Sequence, residues 1–381
     1  MGSEVASQAV IDALLKLGVR VTTLGYLRVG ASAPAGATER SIGVRAIETS
    51  EAGYRALGWF AQGLLTSLPY SAAKYQSSAF VKRVRAEIAA GDIDVVVIDH
   101  AQLAWLINAI PSQVPIIAVV HNVEHEMYQA LAADPSRRPW SRWVYRREAR
   151  LIERLERELA ASVDQVWALT EHDARFFAGI TDRCKVRVIA LSGEHANSRQ
   201  AGLKFCDIAL IGSWSWRANA DALAWFLDNV YPRLPDQISI QVAGKGAEWL
   251  IGRYHNVDYR GFVPDAQAFL AQARAVAIPT LSGGGIQIKT LDSIASGSQI
   301  VATSVALRGI ENPPSTVTVA DDPQQFAHQL VAAVVRTQTD AQLAEVARWT
   351  QERHRRLLDT VRSSLLSLVA TTSRDVAKAG A

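Results

Sequence analysis

Short runs of aliphatic and β-branched residues alternate along the chain with longer stretches whose apolar positions recur every three or four residues. A strand inside a parallel sheet is covered on both faces, so it reads as a continuous apolar run; the intervening helices are apolar on one stripe only. The pattern predicts strands over residues 19–24, 43–48, 93–98, 116–120 and 165–168, with a weaker one at 186–189. A second set is predicted at 206–211, 238–243, 257–261, 275–279, 299–302 and 316–319. Each set is a full complement for one doubly wound α/β domain. The stretch 191–203 (LSGEHANSRQAGL) has no apolar period and reads as the linker between them. Past Asp340 the pattern is helical again, through Leu357, Leu358, Val361, Leu365 and Leu368. The expected division is therefore a first Rossmann-like domain over 1–192, a second over 203–345, and a helix over 346–381 that crosses back to the first domain.

The start breaks the pattern. Gly2, Ser3 and Glu4 followed by an amphipathic stretch look like the loop and helix after a first strand, yet no strand precedes them. A doubly wound sheet places that strand in its middle, so the segment at 19–24 is expected to lack an inner neighbour, as if the natural chain began upstream.

Composition narrows the function. With 381 residues, 49% hydrophobic and 20% charged, the chain suits two globular domains. A net charge of +3 from 40 basic and 37 acidic residues leaves no nucleic-acid footprint. Cys184 and Cys206 have neither metal nor redox spacing and fit a reducing compartment. No apolar run reaches the roughly 20 residues of a membrane helix, and no signal peptide is evident. The expected location is the cytoplasm, or the inner face of the membrane. The second address comes from the stretch between Arg137 and Arg157 (RRPWSRWVYRREARLIERLER), where arginines interleave with Trp140, Trp143 and Tyr145. It reads as a helix for an anionic membrane surface or as a solvated helix whose cations pair with Glu148, Glu153, Glu156 and Glu158.

The densest candidate chemistry lies in 275–302 (AVAIPTLSGGGIQIKTLDSIASGSQIVA): strand, glycine loop, helix, strand. Gly283, Gly284 and Gly285 let the backbone approach a ligand, and a helix starting near Ile286 aims its free amides at that loop. Lys289 in the first turn adds a full positive charge, and Asp292 is spaced to accept hydrogen bonds from a ribose. The plainer reading is a glycine turn that lets helix and strand pack. A second block, 209–227 (ALIGSWSWRANADALAWFL), ends a strand at Gly212 and Ser213 and begins a helix near Asn219, with Arg217 between them. Arg217 reads equally as a phosphate ligand or as a solvated loop arginine; of Trp214 and Trp216, one is expected to pack. A third block, 116–126 (IIAVVHNVEHE), carries the H-x-x-E-H spacing of inverted zinc proteases, but His121 sits at a strand tip instead of mid-helix and no third ligand is evident. Asp99 and His100 end the preceding strand.

These blocks, in this order, resemble the retaining glycosyltransferases of family 4, of the GT-B fold, especially members tied to bacterial exopolysaccharide synthesis. The resemblance implies two Rossmann-like domains facing each other across a cleft, and transfer of a sugar from a nucleotide-diphosphate donor to a glycan or lipid-linked acceptor with retention at the anomeric carbon. It implies that Gly212, Ser213 and Arg217 meet the diphosphate, that Gly283, Gly284, Gly285, Ile286 and Gln287 line the sugar, and that Lys289 and Asp292 hold phosphate and ribose. It also implies that backbone near Phe262 and Val263 meets the base, and that His121 hydrogen-bonds the donor sugar. Gly2, Ser3, Asp99 and His100 fall on the acceptor side, with Glu171 near the cleft. Many members carry a glutamate seven residues before the ribose acid; here that position is Gly285, which leaves the loop amides to hold the sugar. No cofactor is expected, and the absence of a DxD pair in a suitable loop predicts that metal is not needed. The competing readings are a sugar-nucleotide epimerase of the same fold and a non-catalytic nucleotide-sugar-binding module.

Overall fold

The computed structural model describes residues 2–28, 38–45, 58–59, 62–63, 66–180, 185–193 and 204–379. The chain forms two compact units, one of Ser7–Ile189 with Leu358–Ala381, the other of Ala190–Leu357 with Met1–Ala6.

The first unit runs α1 (Gly2–Lys16) from Ser7 onwards, β1 (Thr23–Leu27), β2 (Glu39–Val44), α2 (Tyr70–Ala73), α3 (Ser78–Ala89), β3 (Val96–Asp99), a 3-10 helix (Ala101–Ala109), β4 (Ile116–Val120), α4 (Glu124–Ala133), α5 (Pro139–Ser162), β5 (Gln165–Ala168), α6 (Glu171–Ala178) and β6 (Lys185–Val188). Strands β3-β4-β5-β6 form a parallel sheet in that order. All five residues of β4 are buried, which accounts for its unbroken β-branched composition. The six strands predicted for this half do not make one continuous sheet: β1 and β2 form a separate parallel pair among the described residues. From that pair Tyr26 of β1 meets Phe80 of α3 edge-on at 5.6 Å, and Phe80 meets Trp105 of the 3-10 helix at 5.8 Å, within the hydrophobic cluster that also holds β3, β4 and β5 residues.

The second unit runs β7 (Cys206–Ile211), α7 (Arg217–Trp225), β8 (Ile240–Ala243), β9 (Val257–Gly261), α8 (Ala266–Ala271), β10 (Ala273–Ile278), α9 (Ile288–Ala295), β11 (Gln299–Ala302), β12 (Val317–Val319), α10 (Pro323–Val335) and α11 (Asp340–Ala379) as far as Leu357, the rest of α11 belonging to the first unit. Its sheet order is β12-β11-β10-β7-β8-β9, all parallel. Chain order reverses between β7 and β10, and in such sheets ligands bind outside the carboxyl ends of the strands at that reversal. Ile208 and Leu210 of β7 and Ala275 of β10 are fully buried, so the strands that carry the reversal are anchored in the core.

Of the predicted linker, 194–203 lies outside the described residues, as do Cys184 and the end of the strand predicted at 43–48. The basic helix corrects one reading: Glu148 and Glu156 are buried and not part of a solvated charge pattern. Glu148 accepts a hydrogen bond from the Tyr70 amide at 2.6 Å, and Glu156 one from the Glu124 amide at 2.6 Å. Glu153 and Glu158 make the expected exposed pairs four residues apart, with Arg157 and Arg154, while Glu148 pairs with the adjacent Arg147.

Candidate active site

At the reversal, the loop after β7 and the loop after β10 come together in the second unit. Lys289, in the first turn of α9, donates to Asn219 Oδ1 at 2.9 Å, and Asn219 Nδ2 donates to the Ser213 carbonyl at 3.0 Å. Asn219 thus ties Lys289 to the loop of Gly212 and Ser213, although the two are 70 residues or more apart in the chain. The lysine is largely enclosed, and burial pulls its ammonium down to about 8. A desolvated cation with one neutral partner is poised for an anion.

Neither α7 nor α9 has a side chain capping its N-terminus, whereas Ser77, Thr170, Asp265 and Asp322 cap α3, α6, α8 and α10. The first-turn amides of the two helices beside the reversal are therefore not taken up by side-chain caps, and such amides suit phosphate oxygens.

The backbone of the surrounding loops requires glycine. Gly244 has φ +110°, and a Cβ there would lie 1.7 Å from the Gly212 carbonyl oxygen. Gly246, φ +96°, would meet the Ser215 nitrogen at 2.6 Å. Trp214 is the tryptophan that packs: it is buried, and its indole donates to the Ala243 carbonyl at 2.9 Å. Trp216 is exposed. After β9, Phe262 is 67% exposed, with the Lys245 ammonium 5.3 Å from its ring centre, leaving an aromatic face for stacking. Val263 follows it, half-buried.

In the glycine loop, Gly283 has φ +132° and Gly285 φ +70°, conformations that side chains disfavour. Arg308 donates to the Gly283 carbonyl at 2.7 Å and holds the loop from outside. Sequence reading missed both Arg308 and Asn219, because nothing in their local pattern marks them. The helix starts at Ile288, two residues after the predicted Ile286, which is buried; Gln287 precedes the helix. Asp292 is half-buried on α9, and its carbonyl accepts from Gln267 at 3.1 Å. Arg217 opens α7, but its side chain turns to solvent and pairs with Asp221 at 2.8 Å. It is not drawn into the Lys289–Asn219–Ser213 chain.

The first unit gathers a second cluster at the tips of β3 and β4. His121 Nε2 lies 2.7 Å from Asp99 Oδ1, and Ser7 donates to Asp99 Oδ2 at 2.5 Å. The His100 ring stacks on His121 with centroids 3.8 Å apart. Burial pushes the Asp99 carboxyl up, but the His121 hydrogen bond, the two histidine charges and Ser7 outweigh it and hold it below the usual value. Burial, and then the charge of His121, lower His100 to about 4. His100 has φ +76°, a left-handed conformation that costs a side-chain-bearing residue about 1–3 kcal/mol. Nearby, Glu124 opens α4 and receives hydrogen bonds from Gln102 at 3.2 Å; burial raises it to about 7. His125 is buried and sits 2.6 Å from Glu156, so the two histidines of H-x-x-E-H have different partners and the zinc-protease arrangement does not form. Glu171 is exposed at the start of α6, and Gly2 and Ser3 lie in the first turn of α1.

Two family profiles cover this architecture: "Glycosyltransferase Family 4" matches residues 2–191 and "Glycosyl transferases group 1" matches 206–335. The chain belongs to glycosyltransferase family 4. No curated protein matches it. Among solved structures, sucrose-phosphate synthase (tll1590) from Thermosynechococcus elongatus superposes with TM-score 0.62 at 14% identity, over 98% of this chain and 93% of that one. A UDP-forming α,α-trehalose-phosphate synthase from Burkholderia xenovorans gives 0.58 at 14% identity, over 97% of each chain. TarM gives 0.54 at 14% identity over 78% of this chain, and the match spans 59% of TarM's length. At these identities the likeness establishes the fold: this family 4 member is a GT-B glycosyltransferase with two Rossmann-like domains.

Proposed function

We propose that this glycosyltransferase moves a sugar from a nucleotide-diphosphate donor to a glycan or lipid-linked acceptor with retention of anomeric configuration. The observation that carries the reading is the Lys289–Asn219–Ser213 chain at the strand-order reversal, set beside two helix N-termini without side-chain caps. Departure of the nucleotide diphosphate builds negative charge on phosphate oxygens. A preorganised ammonium and helix amides stabilise that charge more than they stabilise the ground state, which lowers the barrier. Asp292 takes the ribose, Phe262 the base, and the amides of Gly284–Gln287 the sugar. His121, oriented by Asp99, hydrogen-bonds the sugar. The acceptor proton passes to a leaving phosphate oxygen, so no side-chain base is required.

The test is incubation with a panel of UDP- and GDP-sugars, with and without lipid-linked acceptor, followed by NMR of the product. Transfer with the donor's anomeric configuration is expected. An altered donor sugar without transfer would point to the epimerase, inversion would refute retention, and binding without turnover would leave a binding module.

The acceptor reading has its own support in α5. Trp140 and Trp143 are 65% and 62% exposed, beside the exposed Arg138, Arg146 and Arg150. Exposed indoles with cations suit an anionic membrane surface, each cation contributing about 1 kcal/mol near the headgroups. Binding to vesicles containing phosphatidylglycerol, but not to neutral vesicles, is expected in a flotation assay. Loss of that binding in Trp140→Ala/Trp143→Ala would assign it to this helix; indifference to lipid charge would refute it.

A further inference from the structure

Neighbouring residues on a strand point to opposite faces, so Asp99 and His100 at the end of β3 should diverge. They do not. The left-handed turn at His100 (φ +76°), held by its amide bond to the Val119 carbonyl at 2.9 Å, gathers both side chains at His121. One ligand atom from each of Asp99, His100 and His121 lies within 4.8 Å of the others.

We propose that Asp99, His100 and His121 form a binding site for a zinc-like divalent cation, with a coordination position left open. The donor set is two imidazoles and one carboxylate, which suits Zn²⁺ or Co²⁺ and not Mg²⁺, whose sites are built from oxygen. Ligand atoms about 2.0–2.1 Å from a tetrahedral ion stand roughly 3.3 Å apart, so the cluster closes on a cation through small side-chain rotations. Asp99 and His121 are already closer than that, at 2.7 Å, and the ion replaces the proton between them. Ser7 on Asp99 Oδ2 supplies the outer hydrogen bond that fixes a ligating carboxylate. The H-x-x-E-H spacing thus points at a real metal-competent histidine, His121, but its partners come from the preceding strand tip.

Metal binding is read directly on the full-length protein, without donor or acceptor, so that failure of the transfer reading leaves it standing. Titration with Co²⁺ is expected to give one equivalent of bound ion with the visible absorption of a four-coordinate site, and Zn²⁺ is expected to displace it. His100→Gly, which accepts the left-handed backbone, is expected to weaken binding at least tenfold while the metal-free circular dichroism stays unchanged. Ser7→Ala is expected to weaken it about tenfold. His172→Gln, a histidine outside the cluster paired with Glu126, should leave it unchanged. No saturable binding by the wild type, or full-strength binding by His100→Gly, would overturn the proposal.

Discussion

At the residue scale, Lys289 shows how a functional cation differs from a stabilising one. Its folded value of about 8 lies below that of an exposed lysine, because burial disfavours the charge. A lowered lysine value means the fold penalises the ammonium: the penalty is full below about 8 and disappears as pH rises towards the unfolded value. Lys289→Met is therefore expected to bind no donor yet to melt at the same or a higher temperature at pH 7, by a margin on the order of 1 kcal/mol after allowance for partial solvent access and the lost Asn219 bond. In the wild type, donor affinity should fall as pH rises through about 8. Isothermal titration between pH 6.5 and 9 checks this; unchanged affinity across that range would mean that another group carries the phosphate. Arg217 makes the contrast. By sequence it reads equally as a phosphate ligand or a solvated loop arginine; its neighbour four residues on is Asp221, and an exposed arginine settles there at little cost.

At the element scale, the sequence was legible where a strand is fully buried and obscure where long-range contacts decide. Strands β4, β5, β7, β9 and β11 lie on the predicted spans; β4, β5 and β11 are buried along their whole length, as a covered parallel strand is, whereas β9 is an edge strand with Asp258 and Arg260 exposed. β1 begins at Thr23, four residues after the predicted start, since Val19 and Val21 are apolar without joining a sheet. The glycine loop, Lys289 and the strand-tip His121 were all visible as patterns. Asn219, Arg308 and the Ser7–Asp99 bond, 92 residues apart, were not, because their meaning lies in which loops the sheet order brings together. Gly244 belongs to the same class. Its role cannot be guessed from G-K-G alone, but a methyl group there overlaps the Gly212 carbonyl at a backbone angle side chains avoid. Gly244→Ala is expected to cost about 2–4 kcal/mol and to weaken donor binding at least tenfold, because the β7 and β8 loops must part. Thermal unfolding and donor titration check both halves; an unperturbed variant would show that the loops pack more loosely than this.

At the scale of the whole molecule, the last helix is tied into the first unit's core by polar groups, not by apolar packing alone. Leu358–Ala381 group with Ser7–Ile189, and the contact centres on Ser364, which is fully buried. The Trp167 indole donates to Ser364 Oγ at 2.7 Å, Ser364 Oγ donates to Gln165 Oε1, and Gln165 Nε2 donates to the Ser364 carbonyl at 3.1 Å and to Ser367 at 2.8 Å. Trp167 and Gln165 are themselves fully buried on β5. Such a network specifies where a helix docks more sharply than leucines can, since a slip of one residue strands several buried polar atoms. Ser364→Ala removes the hydroxyl that accepts from Trp167 and donates to Gln165; the indole keeps only its longer bond to Gln165 Oε1, at 3.3 Å. Each lost hydrogen bond costs about 0.5–1.5 kcal/mol net, and in a domain of this size 1 kcal/mol shifts the melting temperature by roughly 2–4 °C. Ser364→Ala is therefore expected to lower Tm by about 2–12 °C. Ser363→Ala, one residue away and exposed, should leave it within a degree or so. Equal melting of the two variants would mean that apolar residues such as Val361 and Leu368 hold the helix by themselves. A selective loss would make Ser364 the residue that fixes the helix in register on β5, a role its exposed neighbour of identical chemistry cannot take.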